Sequence, residues 1–396
     1  MKNNCQKRIT VILLCAGITV SAFSQSGKNI NLTRAQQLLD LVFTHYSADG
    51  TSLLRENYPF DANYSATYLA SADTGARKQF AYLWPFSGIF SGVNALLKSS
   101  NDKKYMTILE TQTLPGLQQY YNTSLQPPCY ASYLQGANWS DRYYDDNVWL
   151  GIDFTELYMY SGKQLYLDKA KEIWTFILSG IDDELGGGIY WCEQKKRSKN
   201  TCSNAPGSVM AFKLFEATKD STFYYQGLEL YNWTKKNLQD PEDKLYWDNI
   251  NLTGRIGKAK YPYNSGQMLQ SAVLLYKLTG EKQYLQEAQD IAEASINYFT
   301  NDFTTGGGET FRLIKPGNVW FVAVMMRGFK ELYHQDHNKK YLEKFNQNLD
   351  YAWNHAKDEN GLFPESWDGS SAKPLRGLLT QAAFIEMYAS ISSIDF

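Results

Sequence analysis

Residues that hold metal ions or build disulfide frameworks are scarce in this sequence. Its 396 residues include five cysteines and four histidines. They form no Cys-x-x-Cys pair and no Cys/His cluster, so we expect no metal site. The triple glycines at 186–188 and 306–308 lack the strand-and-helix setting of a phosphate loop, so no cofactor is expected either. A disulfide between Cys192 and Cys202 is one possibility in an oxidising compartment.

An excess of one charge and long apolar runs are also missing. The chain has 39 Lys and Arg against 41 Asp and Glu. Nucleic-acid binders usually carry a basic face, so no nucleic-acid partner is expected. Beyond the N-terminal segment no apolar run is long enough to cross a bilayer. The chain is instead rich in aromatic residues, with 29 Tyr and 10 Trp. Such rings suit the apolar faces of sugars, although a tyrosine-rich core would give the same composition.

The N-terminal segment has the three parts of an export signal. Basic residues come first, residues 9–20 are apolar, and Ala22-Phe23-Ser24 has the small-x-small spacing of a cleavage site. We therefore predict a signal peptide over residues 1–24 and an exported protein that is periplasmic, extracellular or at the cell surface. A lipoprotein attached through Cys15 is the alternative, but Leu14 stands where a small residue is expected.

Two kinds of stretch alternate along the rest of the chain. Six nearly all-apolar stretches begin about 54 to 61 residues apart, at Trp84, Asp145, Asn204, Asn264, Asn318 and Arg376. Six amphipathic stretches lie between them, at about 31–47, 103–121, 164–178, 222–238, 282–299 and 340–356. Gly-rich aromatic segments, such as 301–311 and 358–367, indicate short β-hairpins. Residues 48–83 are the least regular part, and we expect loops there over one end.

A helix that is apolar all round must be buried, whereas a helix with one apolar stripe covers it. Six of each predict an all-α, (α/α)6 toroid with short β-hairpins in the loops, as a single domain over residues 26–396. In such a ring all inner helices start at the same end. The chemistry-bearing residues at those starts would therefore meet at one mouth. Asp and Asn are also favoured helix caps, and capping alone would explain some of them.

Capping explains less well the adjacent pair Asp145 and Asp146, which two tyrosines precede. The helix dipole would lower the pKa of the better-placed carboxyl, and the mutual charge would raise the pKa of the other. One ionised and one protonated carboxyl are the pair that glycoside hydrolysis needs. The pair therefore indicates a glycosidase, with a solvated acidic cap as the rival interpretation.

Several motifs, in order along the mature chain, resemble glycoside hydrolase family 76, the endo-α-1,6-mannanases. They are Leu83-Trp84-Pro85-Phe86-Ser87-Gly88, Ser140-Asp141-Arg142-Tyr143-Tyr144-Asp145-Asp146-Asn147, Gly186-Gly187-Gly188-Ile189-Tyr190-Trp191, Asn200-Thr201-Cys202-Ser203-Asn204-Ala205-Pro206, Trp247-Asp248-Asn249-Ile250 and Tyr263-Asn264-Ser265-Gly266-Gln267. The resemblance implies a retaining hydrolase on an α/α toroid that acts within α-1,6-linked mannan or manno-oligosaccharides. It implies that Asp145 is the nucleophile and Asp146 the acid/base.

The motifs and the expected mouth together give a set of candidate sugar-binding residues. They are Trp84, Tyr144, Asn204, Tyr263, Asn264 and Arg376. We expect the protein to be a monomer.

Other functions are also compatible with the same toroid. A sugar epimerase would need histidines at the mouth, and none of the four histidines is at an inner helix start. A uronide hydrolase would need more basic residues than Arg376. A surface glycan-binding protein without turnover, or a transglycosylase, would keep the same fold.

Overall fold

The computed structural model describes residues 18–71, 79–137, 140–371 and 373–396. Residues 1–17 of the predicted signal peptide lie outside the described residues. Thirteen α-helices are found in the described part, with a π-helical turn at Leu109–Thr113 between the third and fourth. They are α1 Ile18–Tyr46, α2 Leu83–Ser100, α3 Lys103–Ile108, α4 Leu114–Gln118, α5 Tyr144–Ser161, α6 Gln164–Leu178, α7 Thr201–Thr218, α8 Ser221–Leu238, α9 Pro262–Thr279, α10 Lys282–Phe299, α11 Val319–Asp336, α12 Lys340–His355 and α13 Leu378–Ile391.

Six of these helices form a closed inner ring. Helices α2, α5, α7, α9, α11 and α13 each pack against the next, and α13 packs against α2. The predicted toroid is therefore confirmed. The difference between inner and outer helices follows from their sequences. In α13 residues 378–389 are all buried, whereas α12 buries only a stripe at spacings of three and four, which includes Tyr341, Phe345 and Leu349.

The loops at the two ends of the ring differ in length. At the end where the inner helices stop, two or three residues lead into the next outer helix. Five inner helices end there in a residue of left-handed conformation, which turns the chain at once. At the other end the connections are at least nineteen residues long. These long connections carry the strands.

The strands form four small antiparallel sheets in the described part of the chain. Strands β1 (Asn57–Tyr58) and β10 (Arg376–Gly377) pair, as do β2 (Tyr121–Asn122) with β3 (Cys129–Tyr130) and β8 (Thr300–Thr304) with β9 (Thr310–Ile314). The fourth sheet has the order β4 (Tyr190–Cys192), β5 (Lys195–Asn200), β6 (Trp247–Asn251) and β7 (Ile256–Lys260). The register Lys199↔Ile250 joins two hairpins that belong to different repeats.

Two local expectations need correction. The hairpin predicted over 358–367 is absent, because the Asp358 carboxylate accepts the N–H groups of Asn360 and Leu362 and holds a turn instead. The disulfide between Cys192 and Cys202 is not formed, and both thiols are free and buried. The Cys192 thiol faces Gln194, whereas that of Cys202 faces Asp145. No helix within the described ranges is long and apolar enough to cross a membrane.

The close approach of α9 and α11 depends on glycines. A Cβ atom added at Gly328 would lie 2.4 Å from the carbonyl oxygen of Gly266. We expect Gly328→Ala to lower the free energy of unfolding by about 1–3 kcal/mol, because the backbones must separate. Urea unfolding measures this change. Gly306→Ala is the control, since its Cβ would meet open space. Equal stability of the two variants would contradict the close-packing argument.

Candidate active site

A cavity of about 410 Å³ opens at the end of the ring where the inner helices begin. Its lining comes from the first turns of α2, α5, α7, α9 and α11, and from the long connections before them. The lining residues are Tyr68, Leu69, Tyr82, Trp84, Ser132, Tyr143, Asp145, Asp146, Trp149, Trp191, Ser198, Asn200, Cys202, Asp248, Asn249, Tyr261, Tyr263, Trp320 and Phe321. The expected loop region before α2 does reach this mouth, through Tyr68 and Leu69.

Asp145 and Asp146 both line this cavity, in the first turn of α5. The residue at the cap position is Tyr143, and its side chain makes no capping hydrogen bond. Asp145 accepts the N–H of Asp146 at 3.1 Å through one carboxylate oxygen. Through the other oxygen it accepts the indole N–H of Trp191 at 3.0 Å. Asp145 therefore faces the cavity with a fixed orientation, which a freely solvated cap would not have.

The two carboxyl groups differ in acidity because their surroundings differ. Burial raises the pKa of Asp145, and hydrogen bonds from Cys202, Trp191 and the backbone oppose that rise. Burial also raises the pKa of Asp146, and there the neighbouring charge of Asp145 raises it further. Asp145 consequently loses its proton first, and Asp146 keeps its proton. The helix dipole expected from the sequence is therefore not the main cause of the split; burial and hydrogen bonds are.

Aromatic rings from four inner helices form the floor beside the carboxyls. The rings of Tyr263 and Phe321 stack with centroids 4.0 Å apart. Trp149 meets Trp320 edge to face at 5.1 Å, and Trp84 meets Trp320 at 5.6 Å. We define these five side chains as the aromatic floor. Flat apolar faces with polar edges are suited to the C–H faces of a pyranose ring.

A third carboxyl group, Asp248 on β6, lines the cavity wall. The Asn249 side-chain amide donates to it at 2.7 Å. Burial raises the pKa of Asp248, and the neighbouring side-chain amides of Asn249 and Asn264 oppose the rise. Asp248 belongs to the motif Trp247-Asp248-Asn249-Ile250 but is not among the site residues predicted from the sequence. Only the pairing of β5 with β6 brings it to the same wall as Asn200.

Of the six predicted sugar-binding residues, Trp84 and Tyr263 line the cavity. Asn264 lies in the first turn of α9 but is fully buried behind the wall, where its side chain faces Asp248. It contacts the cavity lining and does not itself line the cavity.

The structure places the other three candidates outside the cavity. The Tyr144 ring stacks on Phe176 with centroids 4.7 Å apart. The Asn204 side chain accepts the N–H of Ile189 at 2.6 Å and donates to its carbonyl at 2.9 Å. Arg376 forms an ion pair with Asp358 at 2.9 Å. Tyr144 thus packs against the outer helix α6, Asn204 binds the backbone at Ile189, and Arg376 binds Asp358, so the predicted placement of these three residues at the sugar site is corrected.

Within the part of the chain that the structure describes, no group of three His, Cys, Asp or Glu side chains could hold a metal ion. The carboxyl groups that line the cavity can perform acid–base and nucleophilic chemistry. An ionised and a protonated carboxyl beside an aromatic floor match the requirements of glycoside cleavage.

Comparisons with known proteins agree with that chemistry. Among solved structures, the chain is similar to a family 76 glycoside hydrolase from a bovine strain of Bacteroides thetaiotaomicron. The sequence identity is 33% and the TM-score 0.83, over 91% of this chain and 77% of that one. It is also similar to a family 76 mannosidase from Bacteroides thetaiotaomicron, with 30% identity and a TM-score of 0.84, over 92% of this chain and 98% of that one.

A more distant structure shares the fold. It is an inactive variant of an α-1,6-mannanase from a Salegentibacter species, with two consecutive aspartates replaced by alanine, in complex with α-1,6-mannotetrose. The identity is 23% and the TM-score 0.73, over 91% of this chain and 98% of that one. No curated protein sequence matches the chain. The sequence profile described as glycosyl hydrolase family 76 matches residues 56–392, and the chain belongs to that family of glycoside hydrolases.

Proposed function

We propose that the protein is a retaining, endo-acting α-1,6-mannanase, with Asp145 as the nucleophile and Asp146 as the general acid and base. The observation that carries the proposal is the unequal pair of carboxyls in the cavity. Asp145 is held by the indole of Trp191 and is the more acidic, whereas burial beside that charge keeps Asp146 protonated. Family membership and the α-1,6-mannotetrose complex of the inactive Salegentibacter variant support the proposed substrate.

The reaction takes two steps that use the pair in turn. An Asp145 oxygen attacks C1 of a mannose, and the bond from C1 to the leaving oxygen breaks as Asp146 gives that oxygen its proton. The product is a glycosyl ester on Asp145. Asp146, now ionised, then takes a proton from water while the water oxygen attacks C1 and releases Asp145 as a carboxylate. Two displacements retain the α configuration.

The aromatic floor and the polar groups on the cavity wall recognise different features of the sugar. Trp84, Trp149 and Tyr263 offer ring faces for apolar C–H groups, and Tyr261, which is partly exposed, extends this surface outward. Asp248 and Asn249 present hydrogen-bonding groups on the wall. A cavity of this kind orients the sugar through polar groups and binds it through apolar contact.

Replacing each catalytic carboxyl tests the two roles separately. We expect Asp146→Asn to slow cleavage of linear α-1,6-mannan by about 10²–10⁴-fold, because the leaving oxygen lacks a proton donor. Its first step should remain fast on an aryl mannoside, whose leaving group needs no proton. Asp145→Asn should abolish both activities. Release of reducing ends and of the aryl group measures the rates.

A matched control is Asp183→Asn, which removes an exposed acid from the run Asp182-Asp183-Glu184 outside the cavity. Cleavage of linear α-1,6-mannan at the wild-type rate by either cavity variant would refute the catalytic assignment. Binding of mannotetraose by the native protein without release of reducing ends would favour a glycan-binding protein. Longer chains among the products would favour a transglycosylase, and a ladder of oligosaccharides is expected from endo action.

The pH dependence of kcat/KM tests the environment of Asp145. This carboxyl must be ionised to attack, and its raised pKa places the acid limb above the ordinary Asp value of about 3.9. Trp191→Phe removes a hydrogen bond that favours the ionised form, so the pKa of Asp145 should rise further. We expect the acid limb to move to higher pH by about one pH unit.

The control for this measurement is Trp353→Phe, a tryptophan of the outer helix α12. An acid limb that stays in place or moves to lower pH in Trp191→Phe would show that the indole does not stabilise the ionised carboxylate.

We also propose export through the signal peptide at residues 1–24. The sequence pattern supports it, with a basic start, an apolar stretch and a small-x-small site. Expression in a bacterial host should give a mature chain that starts at Gln25, as measured by intact mass. A chain modified at Cys15 would support the lipoprotein alternative, and an unprocessed chain would refute both.

A further inference from the structure

The second residue of each inner helix occupies an equivalent place at the mouth of the ring. In ring order these residues are Trp84, Asp145, Cys202, Tyr263, Trp320 and Leu379. All of them except Leu379 line the cavity. Helix α7 packs against α5 on one side and against α9 on the other, so Cys202 lies between Asp145 and Tyr263. The proposed reaction gives a role to both of these neighbours and none to Cys202.

The Cys202 thiol has a polar partner on each side. The residue is 3% exposed, and its thiol faces the Asp145 carboxylate and the Tyr263 hydroxyl. A cysteine that only filled space would face apolar atoms. An ionised carboxylate can only accept hydrogen bonds, so the thiol donates to Asp145 and its sulfur accepts from Tyr263. Asp248 of β6 is a further ionisable group beside the thiol.

The thiol and the phenol keep their protons under conditions that ionise Asp145. Burial raises the pKa of Cys202, and the charges of Asp145 and Asp248 raise it further. Burial raises the pKa of Tyr263 as well. Cys202 therefore acts as a hydrogen-bond donor and not as a thiolate nucleophile.

We propose that Cys202 is a positioning residue for the nucleophile, linked through its thiol to Tyr263 on one side and to Asp145 on the other. The other donors to Asp145 are the N–H of Asp146 at 3.1 Å and the indole of Trp191 at 3.0 Å, and neither belongs to α7. A thiol is a weak donor. It can hold the carboxylate in place and leave most of the negative charge on the attacking oxygen. The inference rests on the proposed role of Asp145.

The S–H stretching band of Cys202 tests the contact without any glycan. Subtracting the Raman spectrum of Cys202→Ser from that of the native protein isolates this band from those of the other thiols, and Cys202→Ala provides a second subtraction. An ionised acceptor makes a stronger hydrogen bond. We expect the band to move to lower wavenumber as pH rises and Asp145 ionises, and to lose this pH dependence in Asp145→Asn.

Kinetics on an aryl mannoside test the positioning role. Cys202→Ala removes a donor to the ionised carboxylate, so the acid limb of kcat/KM should move to higher pH by about 0.5 unit. We expect kcat to fall about tenfold with little change in KM, because the orientation of Asp145 is lost and sugar binding is not. Cys202→Ser keeps a donor and should recover most of the rate, with its acid limb at or below the native position.

The matched control is Cys129→Ser, which replaces a buried thiol on β3 outside the cavity and should leave the pH profile unchanged. Asp146, Tyr263 and Cys192, the other ionisable groups beside Asp145, are kept in all the Cys202 variants.

A pH-independent S–H band, or the same kcat and acid limb in Cys202→Ala and Cys202→Ser, would overturn the proposal. A native protein that cleaves no mannoside would refute the proposed function instead. The band shift would in that case still show that the thiol binds the Asp145 carboxylate.

Discussion

The packing of α13 against α2 is the contact on which the other features depend. Six helices that are buried nearly all round can be covered only by one another and by outer helices, and an open row would leave two of them exposed. Closure removes that cost and places the six starting turns around one axis. The cavity that Asp145 and Asp146 line is a consequence of this closure, because no single repeat contains enough of its lining to form it.

Closure of the ring also determines where charged groups lie along its axis. At the mouth, the free N–H groups and dipoles of several helices favour negative charge, yet desolvation of Asp145 and Asp146 acts more strongly and raises the pKa of both. Farther along the axis, Trp149 separates these acids from the buried ion pair of Arg327 with Glu386, and the Arg327 guanidinium lies 6.0 Å from the ring centroid of Trp149. Two polar environments are therefore held apart by one aromatic layer.

The helical architecture could be predicted from the sequence because buried apolar residues recur along a helix at spacings of three and four. The stretch expected at 340–356 is helix Lys340–His355, and the stretch at 164–178 is helix Gln164–Leu178. The adjacent acids could be placed at the mouth because they begin an inner helix. The direction of each side chain could not be predicted in the same way, since successive residues point about 100° apart around a helix. Asn204 starts an inner helix and yet binds a loop.

Contacts between segments that are distant in the sequence also could not be predicted from local patterns. The indole of Trp191 reaches Asp145 from the connection between α6 and α7, and Asp248 joins the wall only because β5 and β6 pair. Such pairings depend on how two connections fold over the same end, which neither segment encodes alone. The residues around the acids were therefore harder to identify than the acids themselves.

The unequal loops at the two ends have a consequence for how such proteins can diverge. Turns of two or three residues, with left-handed residues such as Asn101 and Lys219, leave the rear face almost no freedom to accept insertions. Connections of nineteen residues or more at the mouth can lengthen, shorten or exchange hairpins while the ring stays intact. Natural variation should therefore accumulate in the connections around the entrance of the cavity. New substrate preferences would then arise by changes in these connections, while the helical ring stays the same.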